Sequence, residues 1–313
     1  MVEINLSELN VEEMGLTKSQ TFKFELVTPI AMHGSDPKKG LEIRTQSING
    51  MMRYWSRVLR VDAINQHREN VEGYVFGTAN APTPKKGVVS LRLAPQKQEF
   101  RKGKYQPSST GPFAIDTFEP GGIIDISLHA LTTSKDIKLN GQDVSVWNYM
   151  MSLTLLSFAL GGFGQRGRHG LGSFDFSRRF KSKDEYLAFI KSLMDKLQLG
   201  TKLSENKIER LNDDIVDGAP YWKETVIIET QINNTRTILE QIKKATHDND
   251  GKYSNVLGSA FPRVPSPLHT KVTKLRNGRY LILVSEVYNP NQAKRNYQES
   301  KEYYINRLKE TLS

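Results

Sequence analysis

Residues 145–176 read SVWNYMMSLTLLSFALGGFGQRGRHGLGSFDF. The first half of this stretch, residues 145–160, is apolar on nearly all sides, which predicts a helix that is buried all round. Gly161 and Gly162 end that helix, a glycine-rich loop follows, and residues 171–176 then favour a short strand. A buried helix, a loop and a strand in this order predict the second half of a small sheet-and-helix unit.

The residues upstream carry the patterns of three strands and one more helix. Residues 21–27 alternate apolar and charged side chains, which is typical of a half-buried strand. A helix is predicted to begin with Ser47 as its N-cap, because apolar residues then recur at three- and four-residue spacing. Residues 87–93 and 123–130 read as strands on either side of a polar, basic loop at 95–112. The order strand, helix, strand, strand, helix, strand is ferredoxin-like (RRM-like), as in RNA-recognition modules.

The pattern changes near residues 178–183, where we place a domain boundary. Residues 183–197 predict an amphipathic helix, and residues 226–229 are a short apolar run in a long polar stretch. Residues 271–275 and 280–287 predict a hairpin about Asn277-Gly278, a strong two-residue turn signal. A charged helix over residues 292–312 closes the chain. We therefore predict an α+β protein with domains at residues 1–180 and 181–313.

The bulk composition narrows the class of protein. The chain has 313 residues, a formal net charge of +10 and no cysteine. The charge favours a polyanionic partner, nucleic acid before an anionic membrane, and the missing cysteine excludes disulfides, thiol nucleophiles and Cys-ligated zinc. Residues 1–14 lack a signal-peptide pattern, and the longest apolar stretch, residues 147–160, is too short and too polar to span a bilayer. The sequence thus predicts a soluble, cytoplasmic protein with no membrane, cofactor or small-molecule substrate.

The first candidate binding element is the helix that begins at Ser47. Its outer face carries arginines opposite Trp55, so one face is expected to pack on the sheet and the other to present guanidinium groups. The N–H groups and dipole of its N-terminus favour a bound phosphate. A merely solvated face remains an equal alternative for the outer arginines. The predicted RNA contacts in this region are Lys38, Lys39, Arg44, Ser47, Asn49, Gly50, Arg53 and Arg57.

The second candidate element is the glycine-rich loop at residues 161–172. Six glycines in twelve positions indicate that the backbone approaches something closely, and the arginines beside them supply phosphate donors. The spacing Gly162-x-Gly164-x-x-Gly167 matches a dinucleotide fingerprint, but it follows a helix instead of a strand, so we reject that interpretation. A flexible turn is the alternative. The predicted RNA contacts here are Gly164, Arg166, Gly167, Arg168 and His169.

Two histidines, His33 and His169, lie in the candidate loops and raise the question of catalysis. A metal-independent ribonuclease uses a histidine as general base and a lysine or arginine to stabilise the phosphorane. The sequence contains no HxxxH pair, carboxylate cluster, Walker loop or Gly-x-Ser-x-Gly elbow. A lone loop histidine more often makes a hydrogen bond, so we predict no catalytic residue and no metal site.

Several of these residues also resemble a known family. Thr28-Pro29, His33-Gly34, Arg44 and the run SINGMMRYWSR at residues 47–57 are similar to the N-terminal signature of CRISPR RAMP proteins. Residues 160–173, LGGFGQRGRHGLGS, resemble the glycine-rich loop of that family, and residues 265–269, PSPLH, resemble its C-terminal segment. Within the family, the RYWSR run and the C-terminal segment are most similar to the first RAMP subunit of the type III-B (Cmr) effector complex.

The resemblance implies tandem ferredoxin-like domains, of which the second is degenerate in this sequence. It implies assembly on a guide RNA (crRNA), at the guide 3′ end, with target RNA, other RAMP subunits and the large polymerase-like subunit. It also implies that this chain is not the nuclease. Carried over by position, the guide-RNA contacts fall on Arg44, Ser47, Asn49, Arg53, Arg57, Arg166, Arg168 and His169.

Three functional hypotheses remain open at this point. The preferred one is a non-catalytic guide-RNA-binding subunit of an antiviral ribonucleoprotein. A metal-independent, repeat-processing endoribonuclease of the same superfamily would share the fold and the glycine loop, so these features do not discriminate. A basic scaffold that touches only protein, through the charged C-terminal helix, is the third.

Overall fold

The computed structural model describes residues 12–14, 17–34, 40–59, 68–79, 84–94, 100–107, 114–131, 136–139, 141–176, 180–211, 219–253, 256–258, 264–290 and 295–312. Within these ranges the chain is a mixed α/β protein with antiparallel sheets. None of the helices in these ranges has the length and apolar character needed to cross a bilayer.

The strands and helices within these ranges are numbered in chain order. The strands are β1 (Glu12–Met14), β2 (Thr17–Leu26), β3 (Gly77–Thr78), β4 (Lys85–Lys86), β5 (Val89–Leu93), β6 (Lys102–Tyr105), β7 (Ile115–Phe118), β8 (Ile123–Leu131), β9 (Ile137–Leu139), β10 (Gln142–Val144), β11 (Phe174–Phe176), β12 (Thr201–Ser204), β13 (Lys207–Arg210), β14 (Tyr221–Thr230), β15 (Leu268–Lys274) and β16 (Tyr280–Tyr288). The helices are α1 (Thr45–Leu59), α2 (Arg68–Phe76), α3 (Val146–Leu160), α4 (Lys183–Lys196), α5 (Thr235–Tyr253) and α6 (Tyr297–Leu312).

The first sheet contains the four strands predicted for the N-terminal part. Strand β2 lies in its centre, with β8 on one side and both β1 and β11 on the other, and β5 pairs with the far edge of β8. The predicted α1 and α3 connect these strands in the predicted order. Ser145 caps α3 by accepting a hydrogen bond from the Asn148 amide. The six predicted elements are therefore all present.

Two local predictions in this part were wrong. Helix α1 begins at Thr45, so Ser47 lies in its first turn and is not the N-cap. The earlier start of the helix has a tertiary cause. The Met32 carbonyl accepts a hydrogen bond from the Glu42 amide and so holds the residues just before the helix. The predicted loop at 95–112 contains strand β6, which pairs with β7, while residues 95–99 and 108–113 lie outside the described ranges.

The second sheet has the order β12-β13-β14-β16-β15. The hairpin about Asn277-Gly278 is confirmed, with Gly278 at a φ of 88°. The apolar run 226–229 lies in the second half of the ten-residue strand β14, and α5 lies within the long polar stretch that follows. The sequence reading missed α5 although its buried positions, Ile238, Leu239, Ile242 and Ala245, have helical spacing, because this short apolar stripe is confined to the N-terminal part of a helix whose C-terminal part is polar.

Helix α1 packs between the two parts of the chain. Its Trp55 is fully buried, and its ring lies 5.4 Å from that of His269 in β15. One hydrophobic core unites Phe24 of the first sheet with Trp222 of the second. The predicted domain boundary falls between β11 and α4, yet the core crosses it, so the two sheets are expected to unfold together.

Candidate nucleic-acid interface

The glycine-rich loop folds tightly back on itself. A Cβ atom added at Gly162 would collide with the carbonyl oxygens of Gly167 and Leu171, and one added at Gly172 would collide with that of Phe163. Gly172 also has a φ of 62°, in the left-handed region that favours glycine. The close approach inferred from the six glycines thus occurs within the loop itself.

Hydrogen bonds on both sides fix this loop between residues 28–31 and β15. On one side, the Thr28 hydroxyl donates to the Gly170 carbonyl at 2.7 Å and accepts from the Ser173 amide at 2.9 Å. On the other side, the Thr270 amide donates to the Arg168 carbonyl at 2.9 Å. Bonds of this kind hold a backbone in one conformation, so the loop is a rigid element and the flexible-turn alternative is not supported.

The tip of the loop is its exposed part. Gly164, Gln165 and Arg166 are all exposed, whereas Gly167 is buried. Arg166 adopts a φ of 56°, which is unfavourable for a residue with a side chain, and the His169 amide holds its carbonyl at 2.8 Å. Such strained residues concentrate at functional sites. The tip therefore presents one exposed arginine on a backbone of fixed conformation.

A short extended segment, residues 30–34, joins the loop tip to the start of α1. The Gln165 amide donates to the Ala31 carbonyl at 2.8 Å. On the other side of the segment, Met32 accepts from the Glu42 amide at 2.8 Å, and its sulfur lies 3.3 Å from the Arg44 amide. Arg44 and Arg166, predicted from separate motifs, thus lie on the two flanks of the same segment.

The N-terminus of α1 offers backbone donors beside Arg44. The first helical hydrogen bond runs from the Ile48 amide to the Arg44 carbonyl at 3.2 Å, so the amides of Thr45, Gln46 and Ser47 precede the helical ladder. Gly50, one turn further, is exposed with open space where a Cβ would lie. Asn49 is half-buried on the same helix. Lys38 and Lys39 lie outside the described residues.

Two of the predicted arginines make intramolecular contacts on the other side of α1. The Arg53 guanidinium donates to the carbonyls of Phe76 and Gly77 at 2.7 and 2.9 Å and to Glu72 at 3.2 Å. Arg57 is exposed and pairs with the same Glu72 at 3.0 Å. Arg53 therefore attaches α2 and β3 to α1, and only Arg57 keeps most of its surface in solvent.

Arg168 turns inward, in contrast to Arg166. Its guanidinium donates to the Ser266 carbonyl and lies 5.5 Å from the centre of the Tyr54 ring. The Tyr54 hydroxyl in turn lies 2.8 Å from Nε2 of His269. These contacts join the loop, α1 and the start of β15. The sequence placed Arg168 beside Arg166 but gave no sign of these opposite orientations.

The two loop histidines differ in their surroundings. Burial, with additional repulsion from Arg166 and Arg168, lowers the pKa of His169 to about 4, so this imidazole is neutral at pH 7. Nδ1 of His33 is buried without a hydrogen bond to any described residue. In the described ranges no three histidine, aspartate or glutamate side chains are grouped so as to hold a metal ion.

A cleft beside the loop tip was missed by sequence reasoning. It has a volume of about 500 Å³ and lies between the loop and α5. Arg166, His169 and Leu171 line one side, while Lys243 and Lys244 of α5 line the other. The basic pair in α5 was visible in the sequence, but its position could not be inferred because the helix itself was not recognised.

The comparisons with known proteins agree with this architecture. A family model described as RAMP superfamily matches residues 23–258. CRISPR system Cmr subunit Cmr1-2 of Pyrococcus furiosus is 26% identical over 186 residues, which span 49% of this chain and 91% of that protein. The predicted resemblance to the first RAMP subunit of the Cmr complex is thereby confirmed.

Two solved structures share the fold over nearly the whole chain. The crystal structure of Cmr1 from Pyrococcus furiosus, in its apo form, has a TM-score of 0.54 at 16% identity and covers 94% of this chain and 97% of that one. A chain of the type III-B Cmr-beta complex bound to cognate target RNA has a TM-score of 0.55 at 12% identity. The match covers 92% of this chain and 99% of that one. Because the RAMP superfamily model matches more than half of this chain, the chain belongs to the RAMP superfamily.

Proposed function

We propose that this chain is a non-catalytic, guide-RNA-binding subunit of a type III-B CRISPR (Cmr) ribonucleoprotein, positioned at the guide 3′ end. The observation that carries the proposal is the placement of Arg44 and Arg166 on the two flanks of residues 30–34. We infer that these two cations and the α1 amides together serve as an anion-binding rim. An RNA backbone, with a charge at every nucleotide, suits such a rim better than a single small anion does.

The chain's charge supports a polyanionic ligand. A formal net charge of +10 draws RNA toward the protein, and each phosphate neutralised releases counterions. Arg166 has no hydrogen bond or ion pair through its side chain within the described ranges, so its donors remain available for phosphate oxygens. Gly50 adds a place where a backbone can approach α1 without steric hindrance.

The proposal includes an architecture of two ferredoxin-like units, with a boundary at residues 180/181. In the first, the strands run in the order β11-β2-β8-β5 and are crossed by α1 and α3. In the second, β14, β15 and β16 with α5 and α6 follow the same scheme, but β13 occupies the edge where a fourth strand would follow α6. Because β13 comes before β14 in the chain and takes the place of the fourth strand, the sequence pattern of the second unit is weak.

The proposed partners are guide and target RNA, other RAMP subunits and the large polymerase-like subunit. Support comes from two similar proteins, a Cmr subunit of Pyrococcus furiosus and a chain of a Cmr complex bound to target RNA. The assembly and the position at the guide 3′ end are thus proposals by similarity. Copurification of tagged protein, with sequencing of the retained RNA, tests both.

The binding site is tested with a double variant, Arg44→Ala/Arg166→Ala. In filter-binding titrations with guide RNA, we expect a loss of affinity of at least about tenfold, because two charge-assisted contacts disappear. The slope of log affinity against log salt should become shallower by about 1–2. Arg279→Ala is the matched control, since Arg279 is also exposed but lies at the turn at the opposite end of β15 and pairs with Glu229. Unchanged affinity of the double variant would contradict the site.

The same reactions test the two rival functions. RNA recovered intact after incubation with EDTA agrees with a non-catalytic role, whereas a discrete product abolished by His33→Ala would establish the repeat-processing nuclease. The wild-type chain is expected to bind RNA outside a complex. Absence of RNA affinity would favour the scaffold that contacts protein alone.

A further inference from the structure

The cleft between the loop tip and α5 has the size and lining of a ligand site. Its volume of about 500 Å³ lies in the range of small-molecule pockets. The floor is formed by Leu171 and by the half-buried ring of Tyr105 in β6. The rim carries Arg166 from the loop and Lys244 from α5, both exposed. An apolar, aromatic surface beside two exposed cations fits a molecule with one flat ring and one phosphate.

The acidic groups of the cleft are largely neutralised by their own partners. Glu240 pairs with Lys243 at 2.5 Å, and Asp248 pairs with Arg307 at 2.8 Å. The third carboxylate of the lining is Asp250, whose pKa is raised by burial. By contrast, the side chains of Arg166 and Lys244 make no ion pair within the described ranges. With those two ion pairs set aside, Arg166 and Lys244 exceed Asp250 by one positive charge, which favours an anionic ligand beside the two cations.

Two neutral polar groups inside the cleft are suited to recognise a base. Burial raises the pKa of Tyr105 to about 12, so its hydroxyl stays protonated and can donate. The neutral imidazole of His169 has one donor and one acceptor nitrogen. Donors and acceptors of this kind match the edge of an unpaired base, while the ring of Tyr105 offers a stacking face.

From these contacts we infer that the cleft binds a single nucleotide with an unpaired base, its phosphate on Arg166 and Lys244 and its base against Tyr105. The inference rests on the RNA-binding function proposed above and extends it to a site on the α5 side of the loop. The nucleotide belongs either to the bound RNA, displaced from its neighbours, or to a free mononucleotide. Both sources present the same chemistry to the cleft.

The test uses the full chain and fluorescence anisotropy with labelled oligouridylate. Tyr105→Ala and Lys244→Glu should each weaken binding by about tenfold, the scale of one lost stacking or phosphate contact. Tyr105→Phe should retain most of the affinity, because the stacking face remains. Lys252→Glu is the matched control, with the same charge change on the last turn of α5, where Lys252 lies over Tyr303.

The outcomes separate this inference from the function on which it rests. Wild-type binding that is reduced by Arg44→Ala but unchanged by Tyr105→Ala and Lys244→Glu would overturn the cleft and leave the RNA-binding function intact. No wild-type binding of any RNA would overturn the function itself. If uridine monophosphate binds alone, and Tyr105→Ala and Lys244→Glu weaken that binding, the ligand is a free nucleotide. If uridine monophosphate does not bind but the two variants weaken oligouridylate binding, the ligand is a nucleotide of the RNA chain.

Discussion

The hydroxyl of Tyr54 lies 2.8 Å from Nε2 of His269, across the boundary between the two sheets. The two rings are stacked with their centres 5.2 Å apart. The guanidinium group of Arg168 lies over the Tyr54 ring. His269 is fully buried, so this hydrogen bond satisfies a polar group that has no access to water. The pair therefore couples α1, which carries the proposed RNA rim, to the C-terminal sheet.

Tyr54→Phe is expected to destabilise the protein by about 1–3 kcal/mol, because Nε2 of His269 would remain buried without a partner. Urea unfolding followed by tryptophan fluorescence measures the change. Tyr253→Phe is a suitable control, since it keeps the ring that contacts Tyr303. Equal stability of Tyr54→Phe and wild type would show that the hydrogen bond contributes little.

Acid should weaken the fold through His269, which is fully buried, and His169, which is half-buried. Burial lowers the pKa of His269 well below its usual value and that of His169 to about 4. The unfolded chain then binds more protons than the folded one between about pH 4 and 6.5, so the free energy of unfolding falls as the pH drops through this window. His269→Gln should show a smaller loss between pH 7 and 5 than wild type, with His247→Gln on the surface of α5 as the control.

The burial of Lys271 should make the free energy of unfolding depend on pH in the alkaline range. It is fully buried, and its Nζ has no hydrogen bond to the described residues. Burial lowers the pKa of this lysine from 10.5 to about 8, with Asp175 partly opposing the shift. The unfolded chain binds the extra proton between these values, so stability rises with pH above about 8. Lys271→Met should lack that rise in melting curves; a parallel pH profile for both proteins would refute the assignment.

The glycines of the two candidate elements are expected to respond oppositely to alanine. Gly172→Ala forces a Cβ against the Phe163 carbonyl at a left-handed φ and should prevent correct folding of the loop. Gly50→Ala meets open space inside a helix and should raise stability by about 0.5–1 kcal/mol. Thermal denaturation compares the two, and a stable Gly172→Ala protein would argue against the tight loop. If RNA approaches α1 closely, Gly50→Ala should also bind RNA more weakly.

Replacing Arg53 and replacing Arg57, both in α1, should affect the stability of the protein to different degrees. Arg53→Ala removes the donors to the Phe76 and Gly77 carbonyls and should destabilise the protein by about 1–3 kcal/mol. Arg57→Ala breaks only an exposed pair with Glu72 and should change stability by less than about 1 kcal/mol. Denaturant titration of both variants at equal salt measures the difference. The reverse order of effects would contradict the role of Arg53 in attaching α2.

The sequence alone determined the elements of the first sheet, the C-terminal hairpin and the family resemblance. These follow from local signals: alternation in residues 21–27, the all-apolar helix ahead of Gly161, and the Asn277-Gly278 turn. It also singled out the two arginine-bearing elements, because arginine and glycine clusters are visible without knowledge of the fold.

The direction of each arginine was decided only by the tertiary structure. Arg166 and Arg168 are two residues apart in one loop, yet the first is exposed and the second donates to the Ser266 carbonyl, 98 residues away. Arg53 likewise binds carbonyls contributed by a separate helix and strand. Periodicity assigns a side chain to a face of its own element, but the partner that face meets depends on long-range packing. Helix α5, whose sparse apolar positions become buried only against the second sheet, and the cleft beside it were determined in the same way.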